Sequence, residues 1–344
     1  MTRARNTADT QTASGGPVPP GIAGKNGIIN GAMDIWQRGT SIAINSSWAY
    51  TTDRWTLPVN VNQTATVSRQ LTSDTTNLPN IQYCARVQRN SGSTGTGGMG
   101  FTQCFESVNS RPYIGQTVTL SFYARKGANY SPTGNALTIY GISGTGTDET
   151  RANQVFTGEA YWINNQSATL TSTWQRFTFT GTVSSAANQI AVFIGMGPTG
   201  TAGAADYFEV TGVQLELGST ATPFSRAGGT IQGELAACQR YYFLKASGSG
   251  QSFGMAAYNS ASDIRGSFGF PVEMRIVPTL VSTSGTNYYV VGGTVDYFNS
   301  LTLWQSSTKE TAWYNVSQAS GTTGLGGVVW TDNASASIAL SAEL

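Results

Sequence analysis

Apolar and polar residues alternate with a period of two along most of the chain. The pattern is clearest in Thr117-Val118-Thr119-Leu120-Ser121-Phe122-Tyr123-Ala124 and in Trp174-Gln175-Arg176-Phe177-Thr178-Phe179-Thr180, and it recurs in Tyr207-Phe208-Glu209-Val210 and Val213-Gln214-Leu215-Glu216-Leu217. Alternating β-branched and aromatic residues fit pleated strands with one buried face. Turn clusters such as Ser91-Gly92-Ser93-Thr94-Gly95-Thr96-Gly97-Gly98 separate them. Many short strands with this punctuation predict an all-β domain over 26–226, a β-sandwich or jelly roll.

The rhythm breaks once. Ile231, Leu235, Cys238 and Tyr242 fall at i, i+4, i+7 and i+11, one face of a helix. This predicts a connector helix within 227–245. Its apolar face either meets copies of itself, making those four residues a candidate trimer interface, or covers the end of its own sandwich. Strand patterns then return over 246–344. They include Ser252–Tyr258, Ile264–Phe270, Tyr288–Val291, Thr311–Val316 and Ser337–Leu344, and they predict a second, smaller β-sandwich. Residues 1–25 are polar and then Gly/Pro-rich, without apolar periodicity, so they suit an extended arm that orders on a partner or a disordered tail.

Composition narrows the chemistry. The 344 residues contain no histidine, which removes triads with a His base and His-containing zinc sites. Charged residues make up 11% of the chain and the formal net charge is +1. The polar surface is therefore built from hydroxyls and amides, and no basic patch marks a nucleic-acid partner. No apolar run is long enough to span a bilayer, so membrane insertion is not expected. The first residues, Met1-Thr2-Arg3-Ala4-Arg5, lead into polar sequence and do not resemble a secretion signal. Three cysteines, Cys84, Cys104 and Cys238, give no metal-ligand spacing. Cys84 and Cys104 either face each other across a hairpin, or all three are reduced, buried thiols.

Two short runs add a resemblance. Ile29-Asn30-Gly31-Ala32-Met33-Asp34-Ile35-Trp36-Gln37-Arg38-Gly39-Thr40 with Tyr50-Thr51-Thr52-Asp53-Arg54-Trp55 resembles the opening of a jelly-roll module in bacteriophage tail fibre and tail-associated proteins. Val213-Gln214-Leu215-Glu216-Leu217-Gly218-Ser219 with Ala221-Thr222-Pro223-Phe224 is similar to its close. The stretch Glu234–Tyr242 resembles that family's connector, and Phe270-Pro271-Val272-Glu273-Met274-Arg275 with Pro278-Thr279 the start of its distal domain.

The resemblance implies a carbohydrate-binding-module-like jelly roll, a trimeric fibre and a place in the virion, without by itself placing the fibre on the tail; the leading expectation is a homotrimeric tail fibre, made in the host cytoplasm. Residues 1–25 would then contact other virion proteins, and the C-terminal domain would meet host cell-surface polysaccharide. A head fibre or capsid decoration protein is the alternative. Modules of this kind also carry structural Ca²⁺, for which Asp34 and Glu216 are the candidate ligands; no other cofactor is expected. Asp53-Arg54-Trp55 and Asp34-Ile35-Trp36-Gln37-Arg38 are read as structural locks.

Sugar binding needs apolar ring faces beside amides and carboxylates. Aromatic residues in polar, turn-rich context are the candidates: Trp162, Tyr288, Tyr289, Trp304, Trp313 and Tyr314. A glycan-cleaving enzyme would have to use carboxylates among Asp148, Glu149, Glu159, Asp263, Glu273 and Asp296. No parallel β-helix repeat accompanies them, and the chain is expected not to be an enzyme.

Overall fold

The computed structural model describes residues 24–45, 48–59, 63–151, 155–292 and 295–344. The expected arm lies outside the described residues up to position 23. The rest folds as two compact units, the first running to Leu235 and the second from Ala236 to Glu343.

Numbering strands in chain order, the first unit pairs two six-stranded sheets. One sheet runs β1 (Ser41–Asn45), β4 (Thr64–Leu71), β5 (Tyr83–Arg89), β12 (Tyr207–Leu217), β7 (Thr117–Lys126) and β10 (Gln175–Thr182). The other runs β2 (Trp48–Tyr50), β3 (Thr56–Pro58), β6 (Met99–Cys104), β11 (Gln189–Met196), β8 (Ala136–Gly144) and β9 (Ala160–Thr169). Consecutive strands β5/β6, β7/β8, β9/β10 and β11/β12 lie in opposite sheets, which is a jelly-roll path. Inward residues of both sheets, among them Val67, Val87, Phe101, Leu120, Phe122, Ile139, Val192, Ile194 and Phe208, form one continuous core. Trp55 stacks on Phe101 at 4.6 Å in nearly parallel planes.

The two strands expected over 207–217 are one. Their join at Thr211–Gln214 is a register irregularity, where Gly212 takes φ +58°, a backbone region that favours glycine.

The module's opening and closing runs meet. Gly27 N–H donates to the Leu215 carbonyl at 2.9 Å, Val213 N–H to the Gly31 carbonyl at 2.9 Å, and the Asn26 amide to the Val213 carbonyl at 3.0 Å. Asn30 is the centre of the opening run. Its Nδ2 reaches the Ile35 carbonyl, the Thr52 hydroxyl and the Asp53 carbonyl, while its Oδ1 accepts from Ile35 N–H. Asn30, Met33 and Arg54 all hold positive φ, so this run is strained backbone fixed by side chains. Asp53 accepts from Gln37 N–H and Nε2, Arg54 donates to the Cys104 carbonyl, and Asp34 pairs with Arg226. Arg54–Cys104 and Asp34–Arg226 thus tie the opening run to distant parts of the module.

Cys84 and Cys104 lie on β5 and β6, in different sheets, so they do not face each other across a hairpin; all three cysteines are free and buried. Asp34 is spent on Arg226. Glu216 accepts from Gln214 Nε2, Thr222 N–H and the Thr222 hydroxyl. Among the described residues no cluster of three acidic, Cys or His side chains is placed to hold a metal.

The helix is shorter than its periodicity suggests, Ile231–Gln239. Tyr242 begins a strand instead. Cys238 and Tyr242 are buried within the chain, Ile231 is exposed and Leu235 half-buried. The four residues do not form one free stripe, so they are not a trimer interface as a set. Glu234, in the first helical turn, is buried; it accepts from Asn30 N–H and from Gly228 N–H at 2.8 Å. Among the described residues no helix is long and apolar enough to cross a membrane.

The second unit is a smaller sandwich. A three-stranded sheet, β13 (Tyr242–Ser247), β22 (Ser337–Ser341) and β16 (Thr279–Ser282), packs with a seven-stranded one. The latter runs β18 (Val295–Phe298), β17 (Tyr288–Val291), β21 (Gly326–Thr331), β14 (Ser252–Ser260), β15 (Asp263–Gly269), β20 (Thr311–Val316) and β19 (Thr302–Leu303). Phe253, Tyr288, Val290, Phe298, Tyr314, Val329, Ile338 and Leu340 are among its core residues.

Candidate functional site

The pleat sends neighbouring side chains to opposite faces, so each adjacent aromatic pair in the second unit splits. Tyr288 points into the core, stacked on Phe298 at 5.6 Å, its hydroxyl 2.8 and 2.9 Å from the carbonyls of Thr283 and Ser337. Tyr289 points out. Tyr314 is buried against Phe253 and Phe268, its ring lying over Gly266 and Gly254; Trp313 points out. Burial pushes the phenols of Tyr288 and Tyr314 above their ordinary value. In the first unit Trp162 is a core residue, its indole N–H donating to the Ile142 carbonyl at 3.1 Å and its ring lying against Gly141. Trp162, Tyr288 and Tyr314 are thus packing residues and present no ring face to a ligand.

What remains outside gathers on one surface, the outer face of the seven-stranded sheet. Register places Val295 opposite Val291, Val291 opposite Val328, Val328 opposite Met255, Met255 opposite Ser267 and Ser267 opposite Trp313. This is a single row across six strands. One step along the strands, a second row places Tyr297 opposite Tyr289, Tyr289 opposite Trp330 and Trp330 opposite Ser252. Ring centroids of Tyr297 and Tyr289 are 5.7 Å apart, and those of Tyr289 and Trp330 are 6.5 Å apart in nearly parallel planes. Met255 is 71% exposed, Tyr297 and Val295 52% each, Trp313 46% and Val291 42%. This aligned, exposed apolar band is the candidate interaction surface.

On the opposite side of the first row lie Ala257, Arg265, Asn315 and Thr302, again in register. The Arg265 guanidinium sits 3.9 Å from the centre of the Trp304 ring and donates to Asp263 at 2.9 Å. Trp304 follows β19, its N–H bonded to the Trp313 carbonyl at 2.7 Å. The Thr302 hydroxyl bonds Asn315. The band is therefore flanked by a polar row whose one cation is already paired.

Of the residues expected from sequence, Tyr289, Trp304 and Trp313 lie on this surface. Tyr297 and Trp330 were not anticipated. The wholly apolar run Val328-Val329-Trp330 does not reveal that Trp330 faces out, and Tyr297 joins its row only through the strand order.

The carboxylates are arranged differently. The Thr157 hydroxyl and N–H and the Gln189 amide hold the Glu149 carboxyl below its ordinary value. Burial pushes Glu159 up, but bonds from Arg151, the Tyr161 hydroxyl and Phe156 N–H outweigh it and hold that carboxyl low. Asp296 accepts from the Tyr258 hydroxyl and Ser320 N–H. Asp263 is paired with Arg265, and Glu273 lies 3.8 Å from Lys309.

No family model matches the chain, and no curated protein matches it either. Among solved structures it is similar to a CBM4 module, at 19% identity over 55% of this chain and 98% of that one, with a TM-score of 0.32. It is similar to the enzymatically active domain of tailspike protein 4 of bacteriophage CBA120, at 13% identity over 56% of this chain and 21% of that one, with a TM-score of 0.33. A CBM22 xylan-binding domain from Paenibacillus barcinonensis matches at 10% identity over 58% of this chain and 98% of that one, with a TM-score of 0.30. These likenesses are weak.

Proposed function

We propose that the chain is a non-enzymatic fibre protein of a bacteriophage virion, a homotrimeric tail fibre that recognises glycan on the host surface through the outer face of its seven-stranded sheet. The observation that carries the glycan reading is the exposed aromatic row Tyr297–Tyr289–Trp330 beside the apolar row that ends at Trp313. Aromatic faces with polar neighbours are what sugar rings require. The virion reading is supported by the resemblance of the opening and closing runs, which are bonded to each other through Gly27–Leu215 and Val213–Gly31. Low charge suits close packing of copies, and three copies raise the avidity of weak single contacts. A general acid for glycan cleavage needs a raised carboxyl pKa; Glu149 and Glu159 are held low instead.

The test is adsorption of phage carrying Tyr297→Ala and Trp330→Ala in the full chain. Particles that assemble normally but adsorb poorly are the expected result. Unchanged adsorption overturns the assignment of this face.

A further inference from the structure

Resting on that reading, we infer that the ligand of this face is an uncharged polysaccharide strand lying across the β-strands, parallel to the two rows. Three observations carry it.

Charge comes first. Neither row contains Asp, Glu, Lys or Arg: one is Val295, Val291, Val328, Met255, Ser267, Trp313 and the other Tyr297, Tyr289, Trp330, Ser252. A polyanion bound here would lose water from its carboxylates or phosphates and gain no cation in return. The nearest guanidinium, Arg265, lies in the flanking row, stacked on Trp304 and bonded to Asp263. A neutral sugar offers hydroxyls at its rim and C–H groups on its face, and the rows offer apolar surface with serine and tyrosine hydroxyls among it.

Direction comes second. Aromatic rings follow one another across the strands, as Tyr297, Tyr289 and Trp330 do, whereas along β21 the outward positions change from a ring to an aliphatic side chain to none, in Trp330, Val328 and Gly326. A ligand that follows one row stays on like surface, and one that follows a strand does not.

Size comes third, and it decides against a second copy of the chain. One row crosses six strands and the other four; at about 4.8 Å per strand and about 7 Å per row they cover on the order of 250 Å². A stable protein interface needs about 800 Å² from each partner. The band is too small to hold a copy alone, but it matches an oligosaccharide several rings long.

The experiment is affinity electrophoresis of the full-length protein through gels containing a soluble neutral β-glucan or polygalacturonic acid, at low and at molar salt. Retardation by the neutral polymer, unchanged by salt, is expected, because apolar contact is not screened. Tyr297→Ala should weaken it about three- to tenfold, by removing one ring face from the row. Met255→Lys, at a side chain already in solvent, should weaken neutral binding and add salt-sensitive retardation by the polyuronate. Retardation of the wild type by the acidic polymer alone overturns the ligand class while leaving glycan recognition standing. No retardation by either polymer or by isolated host polysaccharide, with phage adsorption intact, overturns the glycan reading itself. A concentration-dependent rise in mass that Met255→Lys abolishes overturns both by assigning the face to a second copy.

Discussion

Arg89 shows how this chain uses the few charges it has. It is buried together with Asp206, 2.8 Å away, and its remaining N–H groups reach the carbonyls of Ser93, Gly95 and Gly200. One guanidinium thereby ties two Gly-rich loops to β5. Arg89→Met leaves Asp206 buried without its partner and should cost about 3–5 kcal/mol, whereas Arg89→Met with Asp206→Leu should recover much of that; urea unfolding of the two variants measures the difference. Glu234 supplies a pH prediction. Burial raises its carboxyl above the ordinary 4.5, so the folded form holds its proton more tightly than the unfolded chain. The stability linked to that proton is fully present below 4.5 and is lost as pH rises through the folded value. Glu149 and Glu159, held low, act in the opposite sense: their contribution is present above 4.5 and is lost as pH falls. Glu234→Gln should therefore lower stability below pH 4.5, by loss of a bond to Gly228 or Asn30, and this deficit should shrink as pH rises because the decline of the wild type is absent. Melting temperature followed against pH separates the offset from the slope.

At the scale of the element, the period of two decides which aromatic residue packs and which faces out. Tyr288→Ala should cost about 3–5 kcal/mol, the usual cost of emptying a core aromatic site, while Tyr289→Ala should stay within about 1 kcal/mol; thermal unfolding of the second unit tests the contrast. Gly266→Ala would set a Cβ 2.4 Å from the Tyr314 ring and should cost about 1–3 kcal/mol by overpacking. Strand positions were legible because alternation is local: β17 and β20 match the sequence reading residue for residue. The site was legible only in part. Pairs such as Tyr288-Tyr289 and Trp313-Tyr314 mark the strands that matter, but which member faces out depends on where the core lies. Tyr297 and Trp330 join one row, either side of Tyr289, only because β17 lies between β18 and β21, a long-range order that no local pattern encodes. The same cause shortened the helix. Tyr242 keeps helical spacing with Cys238, but it pairs with Ser341 about a hundred residues away, and that partner overrides the periodicity.

At the scale of the whole molecule, both units share one device. In the first, β12 lies between β5 and β7; in the second, β22 lies between β13 and β16. Each is the latest strand of its unit in order of synthesis, and each is central to its sheet. A chain truncated before Ser337 should therefore leave β13 and β16 without their common neighbour. The second unit should then be cleaved readily by protease while the first still melts cooperatively, a pattern visible by limited digestion and calorimetry. On the ribosome the strands that come early in each unit must wait, their edges unpaired, for a keystone that emerges late. Folding is thereby postponed until a module is nearly whole, and a message cut short yields a product whose strand edges stay open.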